Sequence, residues 1–149
     1  MATIMLALST FRHSEKAIQL ALDTAASEKK DLVVVHVADV NLARYFVGTN
    51  IGLDPALKKM CEAEVLEMHE KENRRKADEI VSRARERGVA ARSVVKIGRF
   101  ALVCLEVVAK EKPEVIVTTR SNRPDWVRRF FGSPVDHLIA KAGCRVIEA

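Results

Sequence analysis

The chain has 149 residues, 48% hydrophobic and 30% charged, a balance that excludes a disordered polymer. No run approaches the roughly 20 apolar residues of a membrane span, and the length predicts one domain over residues 1–149 with a real core. The net charge of +5 comes from Lys, Arg, Asp and Glu interleaved along most of the sequence, which describes a solvated surface and argues against a nucleic-acid partner.

Residues 3–8 form an almost continuous apolar run and read as a first strand. Ser14 is placed to cap a helix on which Ala17, Ile18, Ala21, Leu22 and Ala25 recur at i, i+3 and i+4. Residues 32–37 make a second apolar strand; like the first, it has the composition of a parallel strand covered on both faces. The segment 41–54 is a long loop carrying Leu42, Tyr45, Phe46, Val47, Ile51 and Leu53, so it reads either as a lid over a cleft or as a partner surface.

Pro55 opens a long helix reaching about Arg87, with Gly88 as its stop. Its apolar stripe of Leu57, Met60, Cys61, Val65 and Met68 lapses across residues 71–76, then resumes at Ala77, Ile80, Val81 and Ala84. We read the lapse as a helix overhanging the sheet there. Residues 91–97 mix polar and apolar side chains and predict an edge strand. Residues 100–109 are apolar almost all round and predict the most buried helix.

A fourth strand over residues 115–118 breaks into a basic loop from Thr119 to Ser133. Ser133 then stands at N-cap, Pro134 at N1 and Asp136 at N3 of a last helix, with Gly143 beyond its end and a short strand at residues 145–148. Strands alternating with helices predict a parallel sheet with right-handed crossovers. Ligands bind such sheets beyond the carboxyl ends of the strands, where Ser9-Thr10, Val37-Ala38-Asp39, Gly98 and the loop 119–133 should converge.

Cys61, Cys104 and Cys144 have neither metal nor redox spacing, and Cys104 sits in an apolar run as a small core residue. An odd, scattered set fits a reducing compartment, and the run at residues 4–8 is too short for a signal peptide, so the expected location is cytoplasmic. His36, inside a strand, is expected to be buried and hydrogen-bonded. His13, beside Arg12, faces the cleft, where it either touches an anion or has a plain surface role. His69 and His137 lie on helices without partner spacing for a metal, and no Ser-His-Asp or Cys-His set is spelled out. The sequence therefore assigns no catalytic residue and no metal.

The ordered set of features resembles the universal stress protein family over nearly the whole chain. The resemblance rests on the strand–helix order, Leu32-Val-Val-Val-His-Val37 as second strand, and the long helix after a variable loop. Gly98 before the third helix, Gly132-Ser133, and Gly143-Cys-Arg-Val-Ile147 complete it. It implies an open five-stranded parallel α/β sheet in the order 3-2-1-4-5 with helices on both faces, and a homodimer often formed by pairing the last strands.

Family members that bind ATP carry a glycine, two residues, a second glycine, nine residues, then glycine followed by serine or threonine. Counting back from Gly132, the first two glycine positions hold Thr119 and Asn122. The acidic residue that usually ends the first strand is replaced by Ser9, and the glycine after it by Thr10. Glycine serves where backbone takes positive φ or closely approaches a phosphate. Asn122 tolerates the left-handed region, whereas Thr119 is β-branched and strained there. Pro124 and Pro134 each remove a backbone donor, although Gly132 and Ser133 still offer amides to an anion.

Arg120, Arg123, Arg128 and Arg129 stand against these losses. Either guanidinium groups bind an anion in place of the backbone cradle, or the loop is a solvated basic surface anchored by Trp126, Phe130 and Phe131. The candidate ligand-binding set is thus Ser9, Thr10, Val37, Gly98, Thr119, Arg120, Asn122, Arg123, Gly132 and Ser133. The expected function is a regulatory or binding protein of universal-stress type, with no catalysis, no required cofactor and disfavoured ATP. The alternatives are a nucleotide-binding ATPase or phosphotransfer protein of the same fold, and a non-nucleotide anion sensor.

Overall fold

The computed structural model describes residues 2–10, 12–40, 55–119 and 134–149, with side chains of 55–58 and 134–137 left out. Strands and helices alternate as β1 (Thr3–Ser9), α1 (Glu15–Glu28), β2 (Asp31–Asp39), α2 (Pro55–Glu86), β3 (Ala91–Gly98), α3 (Phe100–Glu111), β4 (Val115–Thr118), α4 (Pro134–Lys141) and β5 (Arg145–Glu148). The sheet order is β3-β2-β1-β4-β5, and every pairing is parallel. Both agree with the sequence expectation.

The period-2 alternation of the central strands divides the core into two layers. On one face Ile4, Leu6, Leu8, Leu32 and Val34 meet Ile18 and Leu22 of α1 and Ala77, Ile80 and Ala84 of α2. On the other, Met5, Ala7, Val33, Val35 and Val37 meet Phe100, Cys104 and Val107 of α3 and Leu138 of α4. Every side chain of β1 is buried, whereas β3 mixes half-buried and exposed positions as an edge strand should.

Local chemistry sets the helix ends. The Ser14 hydroxyl accepts the Ala17 amide at 3.3 Å, satisfying one of the unpaired donors at the start of α1. Gly88 and Gly143 have φ of +78° and +69°, the left-handed turn for which glycine is the usual choice. α1 and α3 end instead on Lys29 and Lys112 in that same region. Arg83 of α2 and Arg87 just beyond its end reach Glu15 at 2.5 Å and Asp23 at 2.7 Å, tying the two helices of one face together at the surface.

One helix expectation is borne out and one is corrected. α3 has a larger buried share than α1, with five of its 12 residues buried against five of 14, although Leu102 is 50% exposed. α3 packs on the sheet by one side only, so apolar composition all round leaves an apolar outer side in water. α2 does overhang, but not across residues 71–76. Met60 and Met68, assigned to the buried stripe, are 62% and 68% exposed, whereas Asn73, inside the lapse, is fully buried. The stripe is continuous through Asn73; its middle is polar.

Candidate functional site: the carboxyl end of the sheet

β1 leaves the sheet through a tight turn. The Ser9 amide donates to the Arg12 carbonyl at 3.1 Å and the Arg12 amide returns the bond to Ser9 at 3.0 Å. The turn sends the Arg12 side chain over the Phe100 ring at 5.8 Å, where a cation–π contact holds a mostly buried guanidinium against α3. Thr10, the next residue on the β1 path, donates its amide to the Val37 carbonyl at 3.3 Å. Its hydroxyl accepts the Asn73 side-chain amide at 3.3 Å. Across β1, the Thr119 hydroxyl accepts the Ser14 amide at 3.2 Å, and Thr118 donates to the Ala7 carbonyl at 2.9 Å.

Ser9, Thr10, Val37 and Thr119 thus lie at the ends of neighbouring strands, with the Ser9 backbone bonded to Arg12, Thr10 to Val37 and Asn73, and the Thr119 hydroxyl to Ser14. Gly98 is not part of that group. It pairs with Asp39 at the far side of β2, and a Cβ there would lie 2.9 Å from Cγ2 of Val103. Close packing of α3 accounts for the glycine there. Arg120, Asn122, Arg123, Gly132 and Ser133 lie outside the described residues, as does the loop 41–54.

Below this rim, on the α1–α2 face, lies a polar cluster. His36 is fully buried, but neither ring nitrogen has a hydrogen-bond partner, which corrects the expectation of a hydrogen-bonded core histidine. Its ring stands 5.6 Å from that of His13, tilted by 30°. Burial, then the charges of His13 and Lys76, pushes the His36 pKa down to about 3, so the ring is neutral at ordinary pH. The His13 pKa is also lowered, by burial and then by Lys76, against a hydrogen bond to its own backbone and the charges of Glu15 and Glu79. The fully buried Asn73 uses its amide nitrogen on Thr10 and leaves Oδ1 unpaired. Asn73 escapes a reading based on apolar residues alone; the signal is its position four residues before Ala77, on the same buried face.

Cys104 is fully buried, and burial drives its thiol pKa far up, so it is an inert packing residue as expected. Cys61 and Cys144 are free thiols of intermediate exposure. Among the described residues, no helix is long and apolar enough to cross a membrane.

The model of the universal stress protein family matches residues 1–147. The chain belongs to the universal stress protein family. Among solved structures it is similar to a universal stress protein from Lactobacillus plantarum, at 17% identity and a TM-score of 0.72, covering 98% of this chain and 96% of the other. A family protein from Burkholderia pseudomallei is 22% identical with a TM-score of 0.58, covering 98% and 94%. A family protein from Arabidopsis thaliana, solved with AMP bound, is 16% identical with a TM-score of 0.60, covering 99% and 90%. At these identities the likeness concerns the fold. No curated protein matches the chain.

Proposed function

We propose that the protein is a regulatory or binding module in a stress response, without catalytic chemistry of its own and with weak or no affinity for ATP. One observation carries this reading. The strand-end groups that would greet a ligand are already bonded within the chain: the Thr10 amide to the Val37 carbonyl, and the Thr119 hydroxyl to the Ser14 amide. A nucleotide would have to replace these bonds while meeting Thr119 and Asn122 where a phosphate cradle calls for glycine. No cofactor is required for such a module.

The protein acts in the cytoplasm as a homodimer, with β5 as the free edge nearest the carboxyl terminus. Its charged Glu148 makes strand pairing there less favourable than an uncharged edge would. An enzyme reading, as ATPase or phosphotransfer protein, lacks the glycines that would favour it.

If an anion binds, Arg120 and Arg123 supply the contact, because they follow directly on the end of β4. The test is a thermal-shift screen of ATP, AMP, cyclic AMP, inorganic phosphate and sulfate. A ligand at a hundred times its Kd stabilises the folded state by about 2.7 kcal/mol, so real binding is visible. ATP is expected to leave the melting temperature unchanged at millimolar concentration. A shift by a non-nucleotide anion that vanishes in Arg120→Ala or Arg123→Ala selects the anion-sensor reading; a large ATP shift refutes the main one.

A further inference from the structure

We infer, on the reading that nucleotides bind weakly or not at all, that Arg12 is a plug built into the chain: its side chain fills the part of the cleft that a flat, nucleobase-sized ring would take. The missing glycines are then not the sole cause of weak binding. Arg12 follows the end of β1 and is held there by its paired backbone bonds with Ser9. Thr10, in the same turn, bonds to the Val37 carbonyl, which joins the turn to β2. Phe100 opens α3 just after the end of β3, at the same carboxyl edge of the sheet. From its place after β1 the Arg12 guanidinium therefore reaches across the strand ends, to 5.8 Å from the centre of the Phe100 ring.

Two features set this arginine apart from an ordinary surface residue. It is only 8% exposed, whereas arginine side chains usually lay the stem on the protein and keep the charged head in water. It also covers the aromatic floor that a ring would stack on. Phe100 shares its core layer with Met5 and Ala7 of β1 and Val35 and Val37 of β2, and at 1% exposure it has no face left to offer. A guanidinium is flat and delocalised and stacks on aromatic faces, as a nucleobase does. The two compete for one surface, and the tethered group has the advantage of being attached.

Truncating Arg12 to alanine removes the guanidinium and most of its stem. The surroundings of a truncated buried side chain relax only in part, so a cavity remains. Such cavities accept small molecules that fit the lost shape. Here the lost shape is a planar group on an aromatic floor, so the cavity accepts methylguanidinium and the neutral base of adenosine. A side chain that merely packs gives a different result: its removal costs stability and brings no binding.

The experiment is calorimetric titration of the full chain, Arg12→Ala and Arg12→Met with adenosine, methylguanidinium and ATP. Adenosine carries no phosphate, so its binding reads the plug apart from Thr119, Asn122 and the loop beyond them. The parent should bind neither adenosine nor methylguanidinium at millimolar concentration. Arg12→Ala, checked for folding by circular dichroism, should bind both, with adenosine at least tenfold tighter than in the parent. Arg12→Met refills the space with an uncharged, flexible chain and should again bind neither. If Arg12→Ala is unfolded, methylguanidinium should restore its circular dichroism by returning the missing group. Adenosine bound equally by parent and Arg12→Ala overturns the inference, as does an Arg12→Ala chain on which neither compound acts. Micromolar ATP binding by the parent refutes only the reading of weak nucleotide binding.

Discussion

The side-chain amide of Asn73 donates to the hydroxyl of Thr10 at 3.3 Å, tying the middle of a 32-residue helix to the end of the first strand. Asn73 is fully buried and Thr10 half-buried, so the bond is partly sheltered from water. It fixes Thr10, whose own amide bonds to Val37, and so couples α2 to the rim of the candidate cleft.

Thr10→Val keeps the shape of the side chain but removes the acceptor for a buried N–H. Leaving such a donor unpaired costs about 1–3 kcal/mol. Urea unfolding of Thr10→Val should show a loss in that range, and Thr10→Val with Asn73→Leu should lose less than the sum of the single variants. Additive losses would mean that the two side chains do not interact.

The neutral, buried His36 makes stability depend on pH. Its folded pKa of about 3 lies below the ordinary value of 6.5, so the unfolded chain binds the proton more readily between these values. Stability is complete above about pH 6.5 and falls on acidification toward pH 3, by up to about 1.4 kcal/mol per pH unit. His36→Met should flatten this slope. It should also be nearly neutral at pH 7, because the ring gives up no hydrogen bond. An unchanged acid slope in the variant would remove His36 as its source.

Gly98→Ala places a methyl group 2.9 Å from Cγ2 of Val103. Overpacking of this kind costs about 1–3 kcal/mol. The loss should appear in thermal unfolding, and Val103→Ala should relieve part of it in the double variant. A fully tolerated Gly98→Ala would leave the glycine without its packing explanation.

Much of the fold was legible because its signals are local and repeated. The apolar runs of β1 and β2 declare strands covered on both faces, the mixed run at residues 91–97 declares an edge, and Ser14, Gly88 and Gly143 mark helix ends through their own backbone chemistry. The strand ends were read short: β2 runs on to Asp39 because β3 pairs with it as far as Gly98, a partner that sequence alone does not supply. The polar cluster was hidden for the same reason. His36 is recognisably buried, but the ring it faces, His13, arrives from a loop elsewhere in the sequence. Asn73 also sits where apolar residues give way to charged ones, and only the helical repeat reveals that it faces inward. Leu102, Met60 and Met68 mislead in the opposite sense, since apolar character does not say whether a neighbour is there to cover it.

The central proposal is that the protein binds ATP weakly or not at all, the described strand-end groups of Thr10 and Thr119 being bonded within the chain. Calorimetric titration of the purified protein with ATP tests it most directly. The account predicts no heat of binding at micromolar concentrations of ATP. Micromolar binding that is abolished by a substitution at Gly132 would contradict it, showing that Thr119, Asn122 and the strand-end bonds yield to a bound phosphate after all.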